Sequence, residues 1–415
     1  MLIWQYWPLP SGGAESQCRK LVRHLMDQHM DCTVLTARIQ AKTPFREKDG
    51  NVDVVRVPVM QGLVNAITVF GGVWDKRVKQ TLHKPISAVL SSSPATRETF
   101  EGRIMRWLNA FSFILGASIW LVLYRSKIDV IHVHIGEWIV GYAAWIGSLL
   151  GIPVICKVAD MPVFPRLDRS IPFHWVWDKA RKQVDYVAMH EAIRDQLISG
   201  GIKQAKIHLI PNGVEVRSDC ARPSQGEYVL CVGNLTQGAS HKGFDILFNA
   251  WAEVHKNISN IKLVVAGRGD AVLWRAIIEK SGCADSVYFP GFVENMDNLY
   301  RDAALFVLPS RHEGMSNALL EAQAWGLPAV VSDIPGNRAV VDDHVTGLIV
   351  PAEDSHALTA AILELMSDPL RRESMGTRAR MHIEKFFSME EVSMKYVKLY
   401  ADLTGKDDLS DISAA

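Results

Sequence analysis

Neither sign of charge predominates in this sequence: 45 Lys and Arg stand against 45 Asp and Glu in 415 residues. A protein that wraps nucleic acid needs a cationic excess, so that role is excluded for the chain as a whole, while local basic patches stay open. Cysteine is sparse. The six cysteines (Cys18, Cys32, Cys156, Cys220, Cys231, Cys283) are scattered without a Cys-x-x-Cys pair. Neither a disulfide framework nor a zinc ribbon is suggested, which fits a reducing cytoplasm. Long apolar runs are also scarce. Trp107–Tyr124 is eighteen residues without a charge, flanked by Arg106 and Arg125. That barely reaches membrane-spanning length, and Asn109, Ser112, Gly116 and Ser118 dilute it. It reads as a helix packed in a core or lying on a bilayer. The uncharged run Trp138–Cys156 is broken by Gly151 and Pro153 into a helix and a strand. The opening Met-Leu-Ile-Trp-Gln-Tyr-Trp-Pro lacks a basic segment and a small-residue cleavage site, so it reads as a first strand and not a signal peptide.

What is present is an alternation of short apolar runs and amphipathic helices. The length exceeds what one core usually holds, so two domains are expected. The polar stretch Glu215–Glu227 makes the natural linker. It separates domains at 1–214 and 215–388, each doubly wound, Rossmann-like α/β with a mostly parallel sheet. Basic and aromatic residues mix from Trp74 to Trp107, including Lys76, Arg77, Arg97 and Phe100. That mixture favours contact with a membrane surface.

The most informative stretch is Ser310–Pro328. The apolar run Ala303–Leu308 reads as a buried strand. A helix then opens near Ser316, a plausible N-cap, and is stopped by Gly326 and Pro328. In a strand–loop–helix unit the loop lies at the carboxyl edge of the sheet, where open α/β sheets bind ligands. The first amides of the helix carry the positive end of its dipole and suit a phosphate. Glu313 and Glu321 flank them, eight positions apart. Two acids around an anion hole suit a ligand with both hydroxyls and phosphates, such as a sugar nucleotide. Gly12-Gly13, between the first strand and a helix, and Lys242-Gly243, at another helix start, repeat the phosphate-loop chemistry. His132-x-His134 places two histidines on one face of a strand. No third ligand cluster accompanies them, so a metal site is not indicated.

The run Glu-Gly-Met-Ser-Asn-Ala-Leu-Leu-Glu, followed by Ala-Trp-Gly-Leu-Pro-Ala-Val-Val-Ser-Asp-Ile-Pro-Gly-Asn-Arg, resembles the signature of retaining glycosyltransferases of family 4, which have the GT-B fold. The resemblance implies two Rossmann-like domains facing across a cleft, the last helix (389–403) packing back on the first domain. It implies that Gly13 and Lys242 meet the donor diphosphate with the helix start at Met315, Ser316 and Asn317. Glu321 would hold the nucleotide ribose, and Glu313 and His134 the sugar. Two departures stand out. Asn234 replaces a usual arginine, for which Arg268 is a candidate substitute, and His190 replaces a frequent serine or threonine.

The implied activity is transfer of a sugar from a nucleotide-sugar donor such as a UDP- or GDP-sugar to a glycan or lipid-linked acceptor, with no further cofactor and no required metal. It would take place in the cytoplasm or at the inner face of the membrane, in cell-surface polysaccharide or glycolipid synthesis. A sugar-nucleotide epimerase or phosphorylase of the same architecture, and a non-catalytic nucleotide-sugar-binding relative, remain as alternatives.

Overall fold

The computed structural model describes residues 1–7, 12–40, 42–60, 100–134, 138–159, 180–235 and 240–406. The chain divides into two compact units: Met1–Ala188 with Arg194–Leu209 and Lys395–Ala415, and Met189–Ile193 with Ile210–Met394.

In the first unit, helix α1 (Gly13–Asp27) buries Cys18, Leu21, Val22 and Leu25 at helical spacing. Strands β1 (Thr33–Arg38) and β3 (Val52–Pro58) pair in parallel, and β2 (Arg46–Asp49) runs antiparallel to β3. Helix α2 (Phe100–Leu123) follows. Then come β4 (Ile131–Val133), α3 (Trp138–Leu150), β5 (Val154–Val158), β6 (Asp185–Ala188), α4 (Glu191–Ser199) and β7 (Ile207–Leu209), whose four strands form a parallel sheet in sequence order. The expected first strand is a correction. The opening residues make only isolated bridges, Leu2 pairing with both Leu35 and Val133. Backbone bonds from Leu2 N to His132 O (2.7 Å) and from Ile3 N to Leu35 O (3.1 Å) thereby stitch the β1–β3 group to the β4–β7 group. Helix α2 buries Phe113, Ala117 and Leu121. A β-carbon on its Gly116 would stand 2.3 Å from Val57 Cγ1, so the helix backbone rests directly on β3. Much of the basic-aromatic stretch from Trp74 lies outside the described residues.

The second unit contains β8 (Tyr228–Val232), α5 (Phe244–Asn257), β9 (Lys262–Ala266), α6 (Val272–Lys280), β10 (Val287–Gly291), α7 (Asp297–Arg301), β11 (Ala303–Leu308), α8 (Asn317–Ala324), β12 (Ala329–Ser332), α9 (Pro335–Arg338), β13 (Gly347–Val350), α10 (Ser355–Ser367), α11 (Pro369–Phe386) and the start of α12 (Met389–Thr404). Its six strands lie parallel in the order β10-β9-β8-β11-β12-β13. β11 is buried along its whole length, as its unbroken apolar run requires of a strand covered on both faces. The chain winds outward one way from β8 and the other way from β11, so the switch in strand order falls between these neighbours. The polar residues 215–227 are tied to this unit: Arg372 Nε donates to Pro223 O (3.0 Å) and Ala221 N to Trp325 O (2.7 Å).

Candidate active site

A ligand crevice in an open α/β sheet forms beyond the carboxyl ends of the two strands at the switch point. In the second unit those strands are β8 and β11. The loop after β8 delivers Lys242 and the loop after β11 delivers Glu313. Lys242 Nζ donates to Glu313 Oε1 at 2.6 Å, and Ser310 Oγ donates to the same oxygen at 2.8 Å. Both partners are mostly enclosed, with 20% and 11% of their side chains exposed. Three further bonds join these segments. Arg311 N donates to His241 O (2.7 Å), and the Arg311 guanidinium takes both oxygens of Asp245, in the first turn of α5, at 2.8 and 2.7 Å. Paired donation of this kind holds Asp245 below the usual carboxylate range. Gly243 sits at φ +66°, where a β-carbon would meet Pro309 O at 2.1 Å. Only glycine admits that left-handed turn there without displacing the backbone.

Helix α8 begins as the sequence suggests. Ser316 Oγ accepts from Leu319 N at 3.4 Å. The cap therefore occupies one of the amides expected to face a phosphate. Met315 is buried, so it offers a ligand its backbone and not its side chain. Asn212 fixes this segment from below: its Nδ2 donates to Met315 O (3.3 Å) and Asn317 Oδ1 (3.0 Å). Glu321 Oε2 accepts from Tyr300 OH at 3.0 Å. Tyr300 is fully buried, which raises its phenol well above the usual range and keeps it a donor. Ser332 Oγ, at the end of β12, donates to Ser310 O, and Asn337 Nδ2 donates to Ser332 O (2.9 Å). Gly336 lies beneath the loop itself, where a β-carbon would stand 2.5 Å from Glu313 O and 2.6 Å from Gly314 O. His190 also reaches the loop. Burial lowers its pKa, and a bond to the Gly314 carbonyl partly offsets that.

Arg268 stacks on Phe292, its guanidinium carbon 4.1 Å from the ring centre. Its carbonyl accepts from Leu235 N at 2.6 Å, and a β-carbon on Gly267 would lie 3.3 Å from Asn234 N. Arg268 is thus next to the position where the expected arginine is missing.

Gly13 and His134 belong to the first unit. Gly13 opens α1. The carboxylate of Glu15 takes backbone bonds from Gly12 and from its own amide, although burial raises its pKa overall. The helix start expected to meet a phosphate thus carries its own acid. His134 is fully buried at the end of β4 and stacks on His132 with ring centres 4.7 Å apart. His132 Nδ1 bonds Tyr400 OH at 2.7 Å, whereas neither ring nitrogen of His134 has a partner. Burial, and the like charge of buried Lys157, keep both imidazoles well below their usual range. Among the described residues there is no group of three or more His, Cys, Asp or Glu side chains that could hold a metal ion.

Sequence reading missed Asn212, Tyr300 and Gly336 as parts of the site, and gave Ser310, which opens the stretch Ser310–Pro328, no role of its own. Of the three missed residues Gly336 carried a signal, since it lies inside the quoted family run.

An open parallel sheet with a helix start at its switch point is the architecture of ligand-binding doubly wound α/β domains. Comparison with known proteins narrows it. The "Glycosyl transferase 4-like domain" model matches residues 12–213 and the "Glycosyl transferases group 1" model matches residues 226–368. The chain belongs to the family 4 type glycosyltransferases of the two-domain GT-B fold. An uncharacterized glycosyltransferase of Methanocaldococcus jannaschii is 24% identical over 96% of this chain and 97% of its own. The UDP-Gal:alpha-D-GlcNAc-diphosphoundecaprenol alpha-1,3-galactosyltransferase of Escherichia coli is 24% identical over 69% of this chain and 78% of its own. Among solved structures, the Anabaena protein HepE in complex with UDP superposes with a TM-score of 0.68 at 14% identity, covering 97% of this chain and 98% of that one. At that identity the likeness carries the fold alone.

Proposed function

We propose that this glycosyltransferase moves a sugar from a nucleotide-sugar donor to an acceptor hydroxyl with retention at the anomeric carbon. The observation that carries the reading is the meeting of Lys242, Glu313 and the start of α8 where strand order reverses in the second unit. The bond from the anomeric carbon to the diphosphate breaks, a bond to the acceptor oxygen forms on the same face, and the acceptor proton leaves with the diphosphate. Charge grows on the diphosphate as this happens, and fixed cations and amides stabilise such charge most effectively. Lys242 would turn from Glu313 toward the diphosphate, with Arg268 supplying the second cation in place of Asn234. Glu313 would then accept from the sugar hydroxyls. Glu321, oriented by Tyr300, would accept from the ribose. The roles of Gly13 and His134 rest on the family resemblance. No cofactor beyond the donor is invoked.

HepE binds UDP and the Escherichia coli relative acts on a diphosphoundecaprenol-linked sugar. We extend this to a lipid-linked or growing cell-surface glycan as acceptor, reached from the inner face of the membrane. A thermal-shift series with UDP, GDP and ADP tests the donor half. At about 100 times Kd a true ligand adds about 2.7 kcal/mol of stability. A shift for one nucleotide that disappears in Glu321→Ala supports the reading, and no shift with any of them contradicts it.

A further inference from the structure

Helix α2 has two faces of opposite fate. Phe113, Ala117 and Leu121 are buried, while Ile104, Trp107, Phe111, Leu115, Ile119 and Val122 are exposed, Phe111 to 67%. Their spacing of three and four places all six on one stripe along the helix. From Ile104 to Val122, at 1.5 Å per residue, this stripe is roughly 27 Å long. It is continued sideways by α3, which a bond between Ser118 Oγ and Tyr142 OH (3.1 Å) ties to α2, and which exposes Trp145 and Leu149. A contiguous apolar surface of this extent marks an interaction site.

Charge at its end points to the occupant. Arg125 and Lys127 are exposed immediately beyond α2. The Arg125 guanidinium lies 3.5 Å from where a β-carbon on Gly151, at the end of α3, would stand. Arg46 bonds Tyr124 OH at 2.7 Å, and Tyr124 stacks on Trp120 with ring centres 4.9 Å apart. Among the described residues none of these three cations has a carboxylate partner. An apolar stripe bordered by Trp and Tyr and ending in cations with no carboxylate partner among the described residues matches the layered chemistry of a bilayer surface, with hydrocarbon below and anionic headgroups beside it. Among the described residues no helix is long and apolar enough to cross a membrane, so the helix would lie in the plane of the interface.

We propose that the exposed face of α2, with the end of α3, docks on an anionic phospholipid surface. The proposal deepens the lipid-linked acceptor reading, and its test is independent of it because vesicle binding needs no sugar donor.

The full chain is co-sedimented with phosphatidylcholine vesicles and with vesicles that also contain phosphatidylglycerol. Binding to the anionic vesicles is expected, weakened by salt. The double variant Arg125→Gln/Lys127→Gln should bind them about 30-fold less tightly, the product of two charges at roughly 1 kcal/mol each. Phe111→Ser/Ile119→Ser should abolish binding, while Leu370→Ser/Met381→Ser, two exposed apolar residues of the second unit, should not alter it. Should a stripe variant fail to fold, quenching of tryptophan fluorescence in the unaltered chain by brominated lipid gives the same answer. No binding to either vesicle overturns the proposal. So does a dimer of the unaltered chain that Phe111→Ser dissolves, since a second copy would then cover the face. Vesicle binding without donor turnover would support docking and count against transfer alone.

Discussion

The ammonium of Lys242 lies 2.6 Å from Oε1 of Glu313, joining the loops after two adjacent parallel strands. In the proposed mechanism the two separate as a diphosphate takes the cation. Each single change should then remove transition-state stabilisation, and the pair should be non-additive. Lys242→Gln and Glu313→Gln are each expected to lower kcat about 10²–10³-fold, the range for losing one charge-stabilising group. The double variant should lose far less than the product. Steady-state release of nucleoside diphosphate measures all three.

Gly336 touches no ligand in this account, yet it has no room for a methyl group against the carbonyls of Glu313 and Gly314. Gly336→Ala should displace the loop and lower turnover by at least about 10-fold, given how steeply catalysis depends on placement. The fold should survive, so the thermal midpoint is measured beside the rate. An unchanged rate would place the reacting groups elsewhere.

Tyr300→Phe removes the phenol that donates to Glu321. A net loss of about 1 kcal/mol is expected for one hydrogen bond. If Glu321 grips the ribose, calorimetric titration should show nucleoside diphosphate affinity falling about 5-fold. Equal affinity with lower stability would leave the pair a structural one.

The buried histidines set a pH dependence. His132, His134 and His190 have folded pKa values below the ordinary 6.5. Below that pH the unfolded chain binds protons that the folded chain refuses. Stability is therefore fully present above pH 6.5 and is lost as pH falls toward the folded values, at up to about 1.4 kcal/mol per pH unit for each histidine. Urea unfolding between pH 7.5 and 5.5 should show this slope, and His134→Gln should reduce it.

Lys157 behaves in the opposite range. Burial brings its pKa down to about 8 from an ordinary 10.5. Below pH 8 the folded chain carries the buried charge at a constant cost, and stability rises between pH 8 and 10.5, where only the unfolded chain holds the proton. Lys157→Met should accordingly stabilise the protein at pH 7 by about 3 kcal/mol, an effect that vanishes near pH 10.5 in the same unfolding assay.

The site was legible where its signals are local. Ser316 as cap, Gly326 as stop and the apolar run before Ser310 all lie within a few residues of what they control, and they located β11, the loop and α8. Asn212 holds Met315 across 103 positions, and Tyr300 meets Glu321 through α7, a helix of five residues too short to leave a period. Such contacts come from strand order, which no local pattern encodes. Strand β2 was missed because Arg-Glu-Lys-Asp has no apolar alternation; only Asp49, which accepts from Arg19 at 2.6 and 2.7 Å, is buried there. The opening residues misled in the other direction. Their apolar run resembles a strand, but Leu2 is held as a bridge between two sheets.

The most direct test of the account is the anomeric proton signal of the product. The chain is incubated with UDP- and GDP-sugars and a membrane lipid extract, and the new glycoside is followed by nuclear magnetic resonance. The account predicts release of nucleoside diphosphate and a new glycosidic bond with the anomeric configuration of the donor. An inverted product, or turnover that yields a nucleoside monophosphate and a sugar phosphate, would contradict it.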